Sequence, residues 1–328
     1  PQLSYGLNAT GSFGLAKREA TIYALGSTYS PSSVKMISIP FGSVNEWLDP
    51  QTVCFCADFR NTHATAHCWP ASPDPNVLFE TIEVRMGGTL IERVTENARC
   101  NELFTRLTTN PQKKLNLAQS GFGTMVSTTA PDWAVASNHE AEKIVHGVTK
   151  TIMWKLNLSG LLSQHRWIPL FSLGGSQGLT CNMYLAPGTE SMIGTVAGSP
   201  NVAHSQEYQL SNVRALCTML TLADELQESY NGSLLSSAPL RIPIKKVESI
   251  WSYIPGSTTS TNFSVPMARA FTRMCTLFCS FVKEGTAATD VLLDGTGKKK
   301  LCNSYYTHAG SSQTLEYQLQ MGSKRQPD

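Results

Sequence analysis

Between Trp154 and Pro187 the chain reads WKLNLSGLLSQHRWIPLFSLGGSQGLTCNMYLAP, and apolar and polar side chains alternate on both sides of a central break. Leu156 and Leu158 alternate with Lys155, Asn157 and Ser159. After Ile168-Pro169-Leu170 and Gly174-Gly175, Leu179, Cys181, Met183 and Leu185 alternate with Thr180, Asn182 and Tyr184. Period two with turn residues between predicts half-buried strands. A Gly/Ser/Pro linker over 187–206 and a third strand, Tyr208 to Leu220, follow. The strand meets Thr221-Leu222-Ala223-Asp224, a capping box opening a helix with Leu222, Leu226 and Tyr230 inward and a stop at Asn231-Gly232.

Upstream, residues 1–30 are Gly- and Ser-rich with a basic pair, Lys17-Arg18. They read as an extended arm without a core of its own, or as a partly ordered tail. Alternation begins at Val34 and ends at Pro40-Phe41-Gly42. Ser43-Val44-Asn45-Glu46 has capping-box spacing for one helical turn before Asp49-Pro50. Thr52–Phe59 then sets Val53, Phe55, Ala57 and Phe59 on one face, and 62–77 reads as polar loop.

Glu80–Val94 has the pattern of a tight hairpin. Ile82, Val84 and Met86 alternate with Thr81, Glu83 and Arg85, Gly87-Gly88 supplies the turn, and Thr89–Val94 returns. Thr95 is placed to cap a helix with a stripe of Cys100, Leu103, Phe104 and Leu107. From Thr108 to Lys150 the pattern dissolves into a long polar loop. Beyond a boundary between about Ala223 and Pro239, strands are expected at Leu240–Ile244, Trp251–Tyr253, Ala268–Val282 and Tyr317–Met321. Met274–Val282 is apolar on both faces, as in a fully buried strand.

Composition changes this picture little. The 328 residues suffice for two domains; 41% are hydrophobic and only 15% charged, which suits a protein that hides surface against copies of itself. A net charge of +2 gives no case for nucleic-acid binding along the whole molecule. No apolar run approaches the roughly 20 residues of a membrane span. The nine cysteines include no C-x-x-C pair and read as free buried thiols, with no disulfide expected. Four Asn-x-Ser/Thr sequons (Asn8, Asn157, Asn231, Asn262) read as chance matches, and Pro1 as the residue left after removal of an initiator Met.

Candidate chemistry is sparse. His63, His67 and Cys68 could offer three metal ligands, but they sit on a loop with no fourth ligand nearby. Asp132, His139, Glu140, Glu142 and His146 crowd together, yet His-Glu-x-x-His fails because position 143 is Lys143. Gly121-Phe122-Gly123 follows no strand and precedes no Lys-Ser/Thr, so it is no phosphate loop. Glu83 and Glu92 could form a glycosidase pair, but Arg85 and Arg93 beside them suggest surface pairing. Lys298-Lys299-Lys300 reads as a solvated hairpin tip. No catalytic, cofactor-binding or metal residue is therefore expected.

The order of these motifs resembles the double jelly-roll major capsid proteins of double-stranded DNA viruses, nearest to the polinton-like viruses and virophages. The resemblance runs through Gly26–Pro31, Ile39-Pro40, Leu48-Asp49-Pro50 and Phe59-Arg60-Asn61. It continues through Gly87-Gly88-Thr89-Leu90-Ile91-Glu92, the Leu-Ser-Gly at 158–160, the Ile-Pro-Leu at 168–170 and the acidic helix TLADELQESYNGSL. It implies an all-β chain of two β-sandwiches joined by a short helix: an arm over 1–30, a first jelly roll over 31–222 with 108–150 as a long surface loop, a linker helix over 223–238, and a second jelly roll over 239–328.

That second domain is expected to be truncated, because ninety residues hold four or five strands of the eight required. It should leave an uncovered apolar face near 274–282 and 315–321. The function implied is structural and not enzymatic: a homotrimer forming pseudo-hexagonal capsomers of an icosahedral shell. Its partners would be neighbouring capsomers, penton and minor capsid proteins. No cofactor, small-molecule substrate or sequence-specific nucleic acid is implied, and the location is the virion, assembled inside the host cell. The alternative is a β-sandwich carbohydrate-binding protein or glycan-active enzyme.

Overall fold

The computed structural model describes residues 14–108, 121–123, 143–173, 178–192, 195–196, 202–235, 242–252, 264–267, 273–280, 318–321 and 324–326. Its strands are β1 (Gly14–Tyr23), β2 (Thr28–Tyr29), β3 (Met36–Phe41), β4 (Trp47–Asn61), β5 (Phe79–Met86), β6 (Thr89–Val94), β7 (Thr149–Trp154), β8 (Ile168–Pro169), β9 (Leu179–Leu185), β10 (Thr195–Val196), β11 (Val202–Ala203) and β12 (Tyr208–Leu222). One sheet runs β1-β12-β4-β7, with β2 on β12 and β8 on β4; the other runs β3-β9-β5-β6. Successive long strands alternate between the sheets, apart from the β5–β6 hairpin, and every pairing is antiparallel. Eight strands wound this way over residues 14–222 are a jelly roll.

Period-two patterning closes the sandwich. Val53, Phe55, Ala57 and Phe59 of β4 face Ile37, Ile39 and Phe41 of β3 and Leu179, Cys181 and Met183 of β9 across one continuous core. Full burial of each such large side chain contributes roughly 1.5–3 kcal/mol. At the hairpin, Gly87 and Gly88 hold φ of 55° and 84°, the two positive values a tight primed turn needs.

Several expectations are corrected. Residues 14–23 are not part of a free arm: β1 pairs along β12 from Gly14↔Leu222 to Tyr23↔Arg214 and supplies one of the eight strands. Among the described side chains of β1, Ala20 and Ile22 pack on the core, which is why an edge strand escaped a hydrophobicity pattern. Residues 44–45 form a bend, and no helical turn forms over 43–46. Ser43 Oγ does donate to Glu46 Oε2 (2.7 Å), but Arg18 of β1 holds the same carboxylate through two bonds of 2.5 and 2.6 Å. Strand β4 then runs straight through Asp49-Pro50. Residues 155–166 are a series of turns, not a strand, although Leu156 and Leu158 are buried as their pattern suggests.

The loop at 62–77 is less polar than its composition: Cys68, Trp69 and Ala71 are buried, and a short 3-10 turn follows at Pro75–Leu78. The linker at 187–206 contains a short helix, α2 (Gly188–Ser191), and the β10–β11 pair. Helix α1 (Asn97–Thr108) buries Leu103 while Leu107 stays exposed. Thr95 does not cap it; its hydroxyl meets Ser249 Oγ at 2.6 Å. Helix α3 (Asp224–Leu235) passes through Asn231-Gly232 without stopping. Its Leu226 packs with Trp47, Leu220 and Leu222, and Tyr230 lies edge-on to Trp47 at 5.0 Å.

Beyond α3, residues 242–252 lie along the first sandwich, where Ile242, Ile244 and Val247 pack against its core. Residues 273–280 form neither helix nor strand. Met274, Leu277 and Phe278 are 40, 40 and 37% exposed, so the expected fully buried strand is not what this segment forms. A small hairpin joins β13 (Leu319–Met321) to β14 (Lys324–Gln326). No helix among the described residues is long and apolar enough to cross a membrane.

Candidate functional site

The β5–β6 hairpin places Glu83 and Glu92 on opposite faces of one sheet. Glu83 stands opposite Arg93 and Glu92 opposite Val84, which is fully buried. Glu83 is on the outer face, 3.1 Å from Arg85 Nη2 and 3.5 Å from Arg93 Nε, with the Tyr184 hydroxyl at 3.4 Å. The expected arginine pairing holds for this residue. Tyr184 is pushed up by burial first, then by the Glu83 charge.

Glu92 differs. It is 1% exposed and accepts hydrogen bonds from Ser159 Oγ (2.8 Å), Gly160 N (2.6 Å) and Leu161 N (3.3 Å). Surface pairing is therefore corrected here: the carboxylate terminates the 155–166 turns from inside. A charged acceptor facing three donors offsets the cost of its own burial. Gly160 is required because a Cβ there would overlap the Lys245 carbonyl oxygen. Two carboxylates on opposite faces cannot flank one glycosidic bond.

The His63/His67/Cys68 group also separates. His63 Nδ1 accepts the amides of Thr65 (3.1 Å) and Ala66 (2.9 Å). His67 stacks on His146 with ring centroids 5.9 Å apart. Cys68 is fully buried, its Sγ 3.3 Å from Met192 Sδ, and burial pushes its thiol up to about 12. Among the described residues no cluster of three His, Cys, Asp or Glu could hold a metal ion. Asp132, His139, Glu140, Glu142 and the Lys298–Lys300 tip lie outside the described residues. Gly121-Phe122-Gly123 has a structural part: Phe122 is fully buried against Phe59 at 5.0 Å and donates its amide to Pro73 O (2.9 Å).

Sequence reading missed a buried polar group that seats α1. Asp74 accepts from the Asn76 amide and side chain (both 2.9 Å) and from Asn101 Nδ2 (2.8 Å), while Asn97 reaches the Phe79 carbonyl at 3.4 Å. Asp before Pro75, the first residue of the 3-10 turn, was the available signal. A recess of about 180 Å3 beside β4 is lined by Gln51, Val53, Phe55, Lys155, Leu156 and Asn157, among others, and contains no carboxylate or histidine.

What remains is surface. Arg99 lies 4.6 Å over the exposed Trp251 ring, and Phe104 lies edge-on to Phe278 at 4.7 Å. Met274 and Leu277, neighbours of Phe278 in the chain, are each 40% exposed.

No protein-family model matches the chain, and no curated protein matches it. Among solved structures it is similar to the Faustovirus major capsid protein, at 6% identity and TM-score 0.42, over 69% of this chain and 57% of that one. It is similar to the PBCV-1 virus capsid at 14% identity and TM-score 0.39, over 66% and 44%. Likeness to the Sputnik virophage structure stands at 11% identity and TM-score 0.38, over 68% and 52%. The chain thus spans about half the length of these three capsid chains.

Proposed function

We propose that this chain is a structural protein, a major capsid protein of a double-stranded DNA virus, built as a double jelly roll and assembled as a homotrimer into pseudo-hexagonal capsomers. One observation carries the reading: a closed eight-strand jelly roll over 14–222 is followed at once by α3 and then by a segment with exposed Met274, Leu277 and Phe278. Exposed apolar clusters of this kind mark surfaces meant to be covered by protein. The motif order described above supports the same assignment. Neighbouring capsomers, penton and minor capsid proteins are the partners in this reading, and the virion is its location.

A glycan-active enzyme is disfavoured by the opposed faces of Glu83 and Glu92. The mass of the soluble protein by light scattering tests the proposal. A trimer is expected; a monomer at every concentration that also fails to form particles would overturn it.

A further inference from the structure

Three segments meet at one end of the sandwich: 62–70, 143–148 and 203–207. Cys68 and Ile144 exchange both backbone hydrogen bonds (2.9 and 2.8 Å), and Ser205 N donates to His67 O (2.6 Å). Fully buried Asn61 ties the junction together, donating from Nδ2 to Ala66 O (3.0 Å) and Ile144 O (3.2 Å) and accepting the His63 amide (3.1 Å).

Four of the chain's seven histidines stand here. His67 stacks on His146 with rings 20° from parallel, and His204 lies edge-on to Trp69 at 5.4 Å. The Nδ1 of His67 and both ring nitrogens of His204 are buried without a hydrogen-bond partner. His63 Nδ1 accepts two amides, which only the neutral ring can do. The adjoining elements carry Lys143, Arg60 on β4, Glu190 on α2 and exposed Glu207. Cys68 and Tyr208 are buried and remain neutral.

We infer that this junction is an acid-sensitive latch: it is closed with neutral histidines, and their protonation releases the 62–70 and 143–148 segments from each other. The arrangement is unfavourable for charge in three separate ways. Protonated His63 loses its acceptor for the 63–66 turn. Protonated His67 and His146 stack as like charges beside Lys143. A proton on His204 charges a ring whose two nitrogens are both buried without an acceptor. Burial first, then Lys143 and the neighbouring histidines, hold His67 and His204 below the ordinary imidazole range.

The direction follows by linkage. A histidine lowered in the folded state contributes its full stability above the ordinary pKa of about 6.5 and loses it as pH falls toward the lowered value. Opening should grow about tenfold per lowered group for each unit of depression.

Hydrogen exchange of the full chain, corrected for intrinsic rates, tests this between about pH 7.5 and about pH 5. Peptides holding Cys68 and Ile144 should lose protection in acid while β9 peptides keep theirs. In His67→Gln/His146→Gln/His204→Gln the acid loss should shrink to the part carried by His63. If that variant fails to fold, the milder His67→Gln/His146→Gln pair should still shrink it. Wild-type protection that stays constant with pH overturns the inference. So does an undiminished acid loss in the variants, which would place the sensitivity elsewhere. None of these outcomes depends on whether the protein assembles into a shell.

Discussion

The sandwich over 14–222 and the described pieces beyond α3 use similar residues to different ends. Val53, Phe55, Ala57 and Phe59 are at most 4% exposed because a second sheet covers them, whereas Met274, Leu277 and Phe278 are 37–40% exposed. A strand pattern states which side chains want cover. It cannot state that the cover lies within reach of the same described chain. An apolar run therefore reads the same whether it closes a core or waits for a partner.

Truncation at the two ends of this contrast should give the largest difference. Phe59→Ala is expected to cost about 3–5 kcal/mol in urea unfolding, with a cavity left among Phe122 and Tyr208. Phe278→Ala should cost the isolated protein no more than about 1 kcal/mol, since one edge contact with Phe104 is lost. Equal costs would break the comparison. A Phe278→Ala defect seen only in particle yield would sharpen it.

Glu83 and Glu92 of the hairpin repeat the contrast on a smaller scale. Glu92→Ala strands two buried amides and a hydroxyl, and about 2–3 kcal/mol of stability should go with it. Glu83→Ala, losing partly exposed arginine partners, should cost about 1 kcal/mol or less. A reversal of that order would show the buried acceptor to be dispensable.

Thiol chemistry separates the regions without mutation. Cys275 and Cys279 are exposed, while burial pushes Cys68 up to about 12 and Cys100 and Cys217 up to about 11. An alkylating reagent near neutral pH should label the first pair promptly. Cys68 should follow only on unfolding, with on the order of a thousandfold less thiolate than an ordinary cysteine. Labelling of Cys275 that slows in assembled particles would identify covered surface.

The smallest effect belongs to the β1 edge. A hydrogen bond from Arg18 holds the Glu46 carboxyl below its usual range. The stability it adds is therefore present above the ordinary carboxylate pKa and lost as pH falls through the lowered one. The Arg18 side chain is 59% exposed and its charge solvent-screened, so Arg18→Gln should shift the acid limb by under about 1 kcal/mol.

Much of the sandwich was legible in the chain. β3, the body of β4, the Gly-Gly hairpin, β9 and β12 lie where period two placed them, since a half-buried strand must alternate to keep its register. Edge strand β1 was not legible, because among its described side chains Ala20 and Ile22 touch the core only partly covered, too little to set a period. The site was less legible still. Glu83 and Glu92 look alike in sequence, and only the bulge between Val84 and Arg85 and the approach of 159–161 give them opposite environments. His67, His146 and His204 lie far apart along the chain and meet because Cys68 bridges both Ile144 and Ser205. Alternation, turn glycines and caps are local and act within a few residues, so the sequence by itself determined an all-β chain with these strands. Which strands pair, which carboxylate is buried and which histidines touch are set by contacts between distant segments, and only the tertiary structure decided them.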